Sequence, residues 1–404
     1  MFDFLRTRAE ALQPEMVECF RYLHRHPEVA HHEQGTNRLI RQTLDRFGVS
    51  WEAPADNITI AIVDSGLPGP VIGLRCDTDA LPVTEETGLD YASETPGVMH
   101  ACGHDAHITF GLFAARLLTE ARGQWKGVTK VIFQPAEEGE GGARALVAAG
   151  LADGIDLFFG IHVWSPHPSG GLYASANPVS ATVDMFTIRI HGRGGHGATP
   201  DRCADAVVAG AALVTQLQTA VSRRVSPMEP ALLTIGSFHA GTAGNIIAED
   251  AVLKGTIRSF NEDVRQTIVQ ILHDMTRLVC EAHGCTGEVD NIALTDAVIN
   301  HPAATQVAIA AAEKLFGPGC VKPQTPLMLG DDFADYGAIG PYCYAQLGIA
   351  DEAKGTHYAH HNCRFQVDES ILWKGAAWMA AFPGAVPLDP GLRGEAAQGL
   401  RDGV

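Results

Sequence analysis

The alternation of short apolar strands with helical segments constrains the fold of this chain more than any other feature of its sequence. Apolar spacing predicts helices over 5–24, 36–47, 109–121 and 143–149, and strands over 57–63, 71–74, 130–133 and 157–161. The helix over 109–121 is predicted to be amphipathic. Strands and helices in this order favour an α/β fold with a mostly parallel central sheet.

Polar side chains follow three of these predicted strands. Asp77 and Asp79 follow one strand, Glu137 and Glu138 follow a second, and His162 ends a third. In open α/β sheets, ligands bind at the carboxyl ends of the strands. The sequence therefore predicts a functional site at this edge of the sheet.

The pattern changes near residue 180. Strands are predicted over 183–191, 232–238, 251–260 and 286–294, with helices over 204–222 and 263–283. This βαββαβ order is that of the ferredoxin-like unit. The α/β pattern then resumes with a helix, a strand and a helix over 301–316, 342–347 and 370–382. We therefore expect a catalytic domain from 1–180 and 298–404, with an inserted domain at 181–297 and a poorly ordered tail.

Composition narrows the classes of function. The chain has 404 residues and a formal net charge of −18, which argues against a nucleic-acid or membrane partner, because both require basic surfaces. The nine cysteines are odd in number and scattered. With no basic and apolar leader at the N-terminus, this usage predicts a cytoplasmic protein that acts on small molecules.

A cluster of metal-binding side chains precedes the helix over 109–121. The run from His100 to Asp105 includes the thiol of Cys102 and the imidazole of His104, both preferred ligands of zinc and similar metals. Asp105 could accept the second ring N–H of a ligating histidine and so fix its tautomer. Ordinary loops also collect such residues, so this run alone fits either interpretation.

Further candidates decide between them. Each further candidate also has an interpretation without metal. Glu137-Glu138 could be a solvated acidic pair, and His162 could be a hydrogen-bonded core residue. The imidazoles over 357–362 could belong to a surface loop. Together the candidates form a set of five: Cys102, His104, Glu138, His162 and His361. Five ligands exceed what one tetrahedral site requires and suit two metals that share a ligand. A set with sulfur, nitrogen and oxygen donors is compatible with Zn, Mn, Co or Ni.

Motifs spread over nearly the whole length carry a family resemblance. They include His26-Pro27-Glu28, Arg75 to Pro82, His100 to Asp105, Gln134 to Gly139, His162-Val163, His191 to Pro200, Gly255 to Arg258 and His361-Asn362. The chain resembles the aminoacylase, hippurate hydrolase and auxin-conjugate hydrolase branch of the dinuclear metallopeptidase superfamily. The resemblance implies a zinc-exopeptidase-like catalytic domain and an inserted ferredoxin-like α+β domain that serves as a lid and dimerises.

The resemblance also implies roles for individual residues. The five candidates become ligands of two divalent ions per subunit, with the sulfur of Cys102 shared between them. Glu137 becomes the general base that takes a proton from a water acidified by both metals. His196 would help to bind the oxyanion, often from a partner subunit. Asn245 and Arg258 would hold the substrate carboxylate, while Asp77, Asp79 and Asp105 would orient ligands.

The expected activity is hydrolysis of the amide bond of N-acyl-L-amino acids. A dipeptidase or carboxypeptidase could use the same site on a peptide bond. Hydrolytic deamination of an aryl amine is a third interpretation, and a non-catalytic binding protein that keeps the fold is a fourth. Glu137 speaks against the last, since a protein without activity has little reason to keep a base beside a complete ligand set.

Overall fold

The computed structural model describes residues 1–139 and 141–387. The tail predicted to be poorly ordered lies, from residue 388 onward, outside the described residues. The helices are α1 Phe2–Arg25, α2 Gln34–Phe47, α3 His104–Glu120, α4 Gly142–Ala148, α5 Ala206–Arg224, α6 Glu262–Ala282, α7 Pro302–Phe316 and α8 Leu372–Ala385. The strands are β1 Ser50–Ala55, β2 Ile58–Asp64, β3 Val71–Asp77, β4 Val128–Gln134, β5 Leu157–Pro168, β6 Leu172–Tyr173, β7 Pro178–Ser180, β8 Val183–His191, β9 Gly195–His196, β10 Ala231–Ala240, β11 Ile246–Ile247, β12 Asp250–Ser259, β13 Thr286–Thr295, β14 Val298–Ile299, β15 Val321–Lys322 and β16 Tyr342–Ala350.

Contacts divide the chain into two units. Of the described residues, unit 1 comprises those of Met1–Val179, Ile299–Thr325 and 335–387, and unit 2 comprises Ser180–Val298 and Pro326–Ala334. The roles predicted for 1–180, 181–297 and 298–404 stay predictions, because a packing unit does not by itself show what a domain does.

Unit 1 is built on an eight-stranded sheet in the order β1-β2-β4-β3-β5-β16-β6-β15. The central strands β4, β3, β5 and β16 pair in parallel, and antiparallel pairs join β1, β2 and β4 at one side. This confirms the predicted α/β class with its mostly parallel central sheet. The edge strand β1 was not predicted, because its residues are mostly exposed and it lacks an apolar alternation.

Helix α3 lies at the centre of the core of unit 1. It begins at His104, five residues before the predicted start, and 14 of its residues are buried. The predicted amphipathic character is therefore wrong, because α3 packs on the sheet and also against α1 and α8. The helices approach so closely that a Cβ on Gly375 of α8 would lie 2.5 Å from Cε1 of Phe110.

Strand β5 is longer than predicted and includes His162 in its middle. It pairs in parallel with β16 from Phe158 to Trp164, with His162 opposite Gln346. The prediction that His162 ends a strand is therefore wrong. The apolar spacing stops at this polar residue, whereas the backbone pairing continues through it.

Unit 2 is a four-stranded antiparallel sheet in the order β10-β12-β8-β13. Helices α5 and α6 pack on each other and on the sheet, and their apolar faces form a separate core around Leu213, Leu253 and Leu272. Asp205 caps α5 and Asn261 caps α6 through bonds to backbone N–H groups. The chain order β8-α5-β10-β12-α6-β13 confirms the predicted ferredoxin-like fold.

None of the helices in the described part of the chain combines the length and the apolar character that crossing a bilayer demands.

Candidate metal centre

All five predicted metal ligands belong to unit 1, and their donor atoms gather in two overlapping groups. The donor atoms of Cys102, His104 and His162 lie within 4.8 Å of one another. The donor atoms of Cys102, Glu138 and His361 also lie within 4.8 Å of one another. A sulfur common to both groups is the arrangement that two cations with a shared ligand require.

The backbone around Gly103 places two of these donors. Gly103 has a φ of +89° and precedes the first residue of α3, and a Cβ at this position would lie 2.4 Å from Cγ2 of Val163. Only glycine fits both constraints. The tight turn therefore directs Cys102 and His104 towards the same side.

Two imidazoles have tautomers suited to ligation. Nδ1 of His104 lies 2.8 Å from the carbonyl oxygen of Asp79, and Nδ1 of His162 lies 2.5 Å from that of Val163. A carbonyl only accepts, so each Nδ1 carries the proton and each neutral ring presents a lone pair at Nε2. Nε2 of His104 is buried and has no hydrogen-bond partner among the described residues, which is what a metal-binding nitrogen would show.

The electrostatic environment also fits cations. Burial, followed by the charges of Glu138 and Glu137, raises the pKa of the Cys102 thiol well above its usual range. Burial alone would lower the pKa of His104, but the charge of Asp77 and the bond to Asp79 raise it to about 10. The site therefore attracts positive charge, and a divalent cation could replace both protons. By donor chemistry and by charge, the five residues fit a metal pair.

Asp79 holds the acidic loop that follows β4. Its two carboxylate oxygens accept the backbone N–H groups of Glu137 and Glu138 at 3.0 and 2.9 Å. Ala136, with a φ of +56°, donates its N–H to Glu33 at 2.9 Å. Oε2 of Glu137 lies 4.0 Å from Nε2 of His104, while Oε1 of Glu138 lies 3.0 Å from Nε2 of His361. Both glutamates place a carboxylate oxygen within 4.8 Å of a ring nitrogen of His104, and only Glu138 is also paired with His361 in the same kind of group.

Asp77 lies next to the predicted ligand His104. It accepts a bond from Nη1 of Arg75 and another, at 2.6 Å, from Nδ1 of His107. Burial would raise its pKa, but the charges of Arg75, His104 and His107 hold it well below the usual range. Its Oδ2 lies 3.7 Å from Nε2 of His104.

Asp105 has a different partner from the predicted one. Its Oδ2 lies 2.7 Å from Nδ1 of His24, whose Nε2 lies 3.3 Å from Glu85. His24 is not a predicted ligand. The Nδ1–H of the predicted ligand His104 donates to the backbone carbonyl of Asp79 and not to Asp105. The expected contact between Asp105 and a ligating histidine is therefore wrong. Asp105 points back towards α1 because it lies on the first turn of α3 rather than in a loop.

Sequence reasoning missed two further histidines at this site. His107 lies three residues after His104 on one face of α3, and its Nε2 accepts the N–H of Val163 at 2.9 Å. That spacing would have revealed it if the helix start had been predicted correctly. His360 precedes a predicted ligand, and its Nδ1 lies 3.9 Å from Sγ of Cys102. Nothing in the sequence distinguishes it from its neighbour His361.

The other predicted site residues belong to unit 2. Pairing of β9 with β11 sets His196 opposite Ile246, next to Asn245, whose carbonyl accepts the N–H of Gly197 at 2.9 Å. His196 is exposed, and its Nδ1 accepts the N–H of Ala198 at 3.0 Å. Arg258 lies on β12 and donates to the carbonyl oxygen of Met328 at 3.1 Å. Their roles stay predictions.

An α/β unit that gathers thiolate, imidazole and carboxylate donors, accompanied by a ferredoxin-like unit, has the architecture of a metal-dependent hydrolase. Residues 73–384 match the model of peptidase family M20/M25/M40. The chain belongs to this family, and the resemblance drawn from its motifs is confirmed.

Two curated relatives and one solved structure illustrate the range of the family. The chain is 39% identical over 286 residues to an N-acyl-L-amino acid amidohydrolase of Geobacillus stearothermophilus, covering 70% of this chain and 77% of that one. It is 34% identical to thermostable carboxypeptidase 1 of Saccharolobus solfataricus, covering 93% and 96%. A crystal structure of a dinuclear metal binding peptidase of the M20 family from Bacillus subtilis superposes with a TM-score of 0.83 at 30% identity, covering 93% and 98%.

Proposed function

We propose that this protein hydrolyses the amide bond of N-acyl-L-amino acids and holds two divalent metal ions per subunit. The single observation that supports this most is the sulfur of Cys102, common to two groups of donors, with Glu137 beside them. The similarity to an N-acyl-L-amino acid amidohydrolase supports the substrate class.

In this proposal Cys102, His104, Glu138, His162 and His361 bind the two ions, which are Zn, Mn, Co or Ni. When bound, such ions supply Lewis acidity that polarises the scissile carbonyl and makes water easier to deprotonate. The tautomers of His104 and His162 support their assignment, since both direct a lone pair at Nε2 away from their backbone partners.

Glu137 is the proposed proton carrier. Its carboxylate takes a proton from the attacking water as the new C–O bond forms, and then delivers that proton to the nitrogen as the C–N bond breaks. The hydrogen bond that the backbone N–H of Glu137 donates to Asp79 fixes the position of the backbone from which this carboxylate extends. Because Glu138 shares a group of donors with Cys102 and His361, we assign it as the ligand and Glu137 as the proton carrier.

The remaining roles follow the family resemblance. We propose His196 as a donor to the oxyanion, Asn245 and Arg258 as partners of the substrate carboxylate, and Asp77 and Asp79 as residues that orient ligands. We also propose that 181–297 is an inserted lid and dimerisation domain, that the enzyme is a homodimer, and that it is cytoplasmic. Sedimentation of the purified protein tests the dimer, and a monomer at micromolar concentration would refute it.

A carboxypeptidase or dipeptidase is the second candidate, favoured by the similarity to thermostable carboxypeptidase 1. The decisive experiment strips the protein of metal, restores Zn, Mn, Co or Ni singly, and compares kcat/KM on N-acetyl and N-benzoyl amino acids with matched dipeptides. Higher kcat/KM on acyl amino acids supports the proposal, and the reverse supports the second candidate. Ammonia release from aryl amines would indicate a deaminase, and no turnover with any metal would indicate a binding protein.

A further inference from the structure

We infer that His360 is a positioning residue that donates its Nδ1–H to the sulfur of Cys102 and thereby moderates the charge of that sulfur. The inference rests on the proposed function, because it concerns the thiolate that both metal ions would share. It adds a residue outside the proposed ligand set. Nδ1 of His360 and Sγ of Cys102 lie 3.9 Å apart.

The backbone fixes the tautomer of this imidazole. The N–H of Ser165 points at Nε2 of His360 at 3.2 Å. A backbone N–H can only donate, so Nε2 must hold a lone pair. In the neutral ring the proton therefore resides on Nδ1, which is the nitrogen that faces Cys102. The hydrogen bond from Ser165 to Nε2 thus makes Nδ1 the donor that faces the sulfur of Cys102.

Packing holds the ring in this orientation. Trp164 stacks on His360 with centroids 4.6 Å apart and planes inclined by 27°. Phe365 lies 4.8 Å away, and the ring of His162 lies 5.2 Å away, inclined by 78°. Aromatic neighbours on several sides restrict rotation about the last side-chain torsion. The direction of the Nδ1–H vector is therefore set by the fold rather than by solvent.

The same tautomer excludes His360 from the ligand set. Binding a cation through Nδ1 would move the ring proton to Nε2, where it would confront the N–H of Ser165. Two donors facing each other at that distance repel. His361 differs, because its Nε2 lies 3.0 Å from Oε1 of Glu138 and belongs to a group of candidate donors. Two adjacent histidines therefore perform different tasks.

A hydrogen bond to a thiolate lowers the energy of the sulfur lone pairs. A thiolate between two cations that lacks this bond would be a stronger electron donor, and outer partners of ligands typically change metal affinity about 10- to 100-fold when removed. Cobalt(II) reports this effect directly, because its sulfur-to-metal charge-transfer band moves to longer wavelength as the sulfur becomes a better donor.

The first measurement needs no metal. Nitrogen-15 NMR of the histidine side chains in metal-stripped protein, with the His360 signals assigned by their loss in His360→Phe, should show Nδ1 protonated and Nε2 not. An Nε2–H tautomer would overturn the inference.

The second measurement uses cobalt(II) on the wild type, His360→Phe and His360→Asn. The phenylalanine keeps a ring between Trp164 and Phe365 but has no N–H, while the asparagine keeps an amide N–H near the position of Nδ1. We expect two ions in every form, a band at longer wavelength and a metal affinity changed by about 10- to 100-fold in His360→Phe, and a near wild-type band in His360→Asn. Trp164→Phe is the packing control, in which the melting temperature should fall and the band should stay.

Each alternative has its own signature. Loss of one ion from both His360 variants would make His360 a ligand and refute the inference. A band unmoved in His360→Phe, or moved equally in Trp164→Phe, would reduce His360 to a packing residue. If wild-type protein shows no sulfur-to-cobalt band, Cys102 is not a ligand and the proposed function itself fails at its site.

Discussion

At the scale of single residues, the two adjacent glutamates show how neighbours in sequence acquire different chemistry. Burial would raise the pKa of Glu138, but His361 and His104 lower it, so this carboxylate is anionic and engaged. Glu137 is held by its backbone beside His104. A proposed metal ligand and a proposed proton carrier therefore occupy consecutive positions of the turn that follows β4.

Replacing Glu137 should separate metal binding from turnover. Glu137→Gln keeps the shape of the side chain but removes its basicity, so we expect kcat to fall by about 10²- to 10⁴-fold with metal content unchanged. Glu138→Gln should instead lower metal content. Elemental analysis and kcat on an N-acyl amino acid measure both, with the exposed Glu52→Gln as the control. Full turnover in Glu137→Gln would contradict its role as base.

His24 predicts a pH-dependent stability. Burial would lower its pKa, but the hydrogen bonds that its ring donates to Asp105 and Glu85 raise the pKa to about 9. Because this lies above the unfolded value of about 6.5, the charged ring stabilises the fold fully below pH 6.5 and the contribution is lost as pH rises through about 9.

His24→Gln should therefore lower the free energy of unfolding by on the order of 2 kcal/mol at pH 6 and by much less at pH 9.5. Urea titrations at both pH values measure the difference. His273→Gln is the matched control, since that histidine is exposed on α6. An equal loss at both pH values would show that His24 contributes packing and not charge.

The sequence is enough to propose the ligand set, but it does not indicate the contacts that surround those residues. Thiolates, imidazoles and carboxylates beside strand ends form a short list of candidates, and motif order selects among them. The partners of His24 come from distant positions in the sequence, and no local pattern specifies which chain segment will lie against another. For this reason no sequence pattern indicates the contact of Asp105 with His24 or that of His360 with Ser165.

At the scale of elements, apolar periodicity predicts that a helix or strand exists and which of the two it is. Where each element begins and ends depends on contacts with the rest of the fold. Most predicted strands and helices are found within a few residues of their expected bounds. The two largest differences, the early start of α3 and the extended end of β5, both fall on predicted ligands. His104 and His162 are polar residues inside regular elements, so patterns based on apolar spacing end too soon there.

The turn before α3 can be tested through its glycine. Gly103→Ala combines a positive φ with a Cβ 2.4 Å from Cγ2 of Val163. We expect it to destabilise unit 1 by about 1–3 kcal/mol and to weaken metal binding, because Cys102 and His104 flank the turn.

Gly88→Ala is the matched control for backbone strain. Gly88 has a φ of +73°, but a Cβ there would meet no atom within 4 Å. It should show only the smaller cost of the left-handed conformation and bind metal normally. Denaturation midpoints and isothermal titration with cobalt(II) measure both effects. Equal losses in the two variants would mean that the contact with Val163 is unimportant.

At the scale of the whole molecule, the proposed ligands span positions 102 to 361 of the sequence but belong to a single packing unit. The ferredoxin-like chain between them forms its own core. Bringing the ligands together therefore depends on the complete sheet of unit 1, because His162 lies on β5 and the loop with His361 follows its neighbour β16. Metal binding and the folding of unit 1 should consequently be linked.

This linkage predicts that metal stabilises the protein through Cys102. A ligand that binds only the folded state at a free concentration 100 times its Kd adds about 2.7 kcal/mol per site, and each kcal/mol raises the melting temperature by about 2–4 °C in a unit of this size. Scanning calorimetry of metal-stripped protein, with and without Mn or Zn, should show such a rise, and a chelator should reverse it. Cys102→Ser weakens the proposed shared donor, so most of the rise should disappear. A rise of equal size in Cys102→Ser would place the stabilising ion elsewhere, since both donor groups meet at that sulfur.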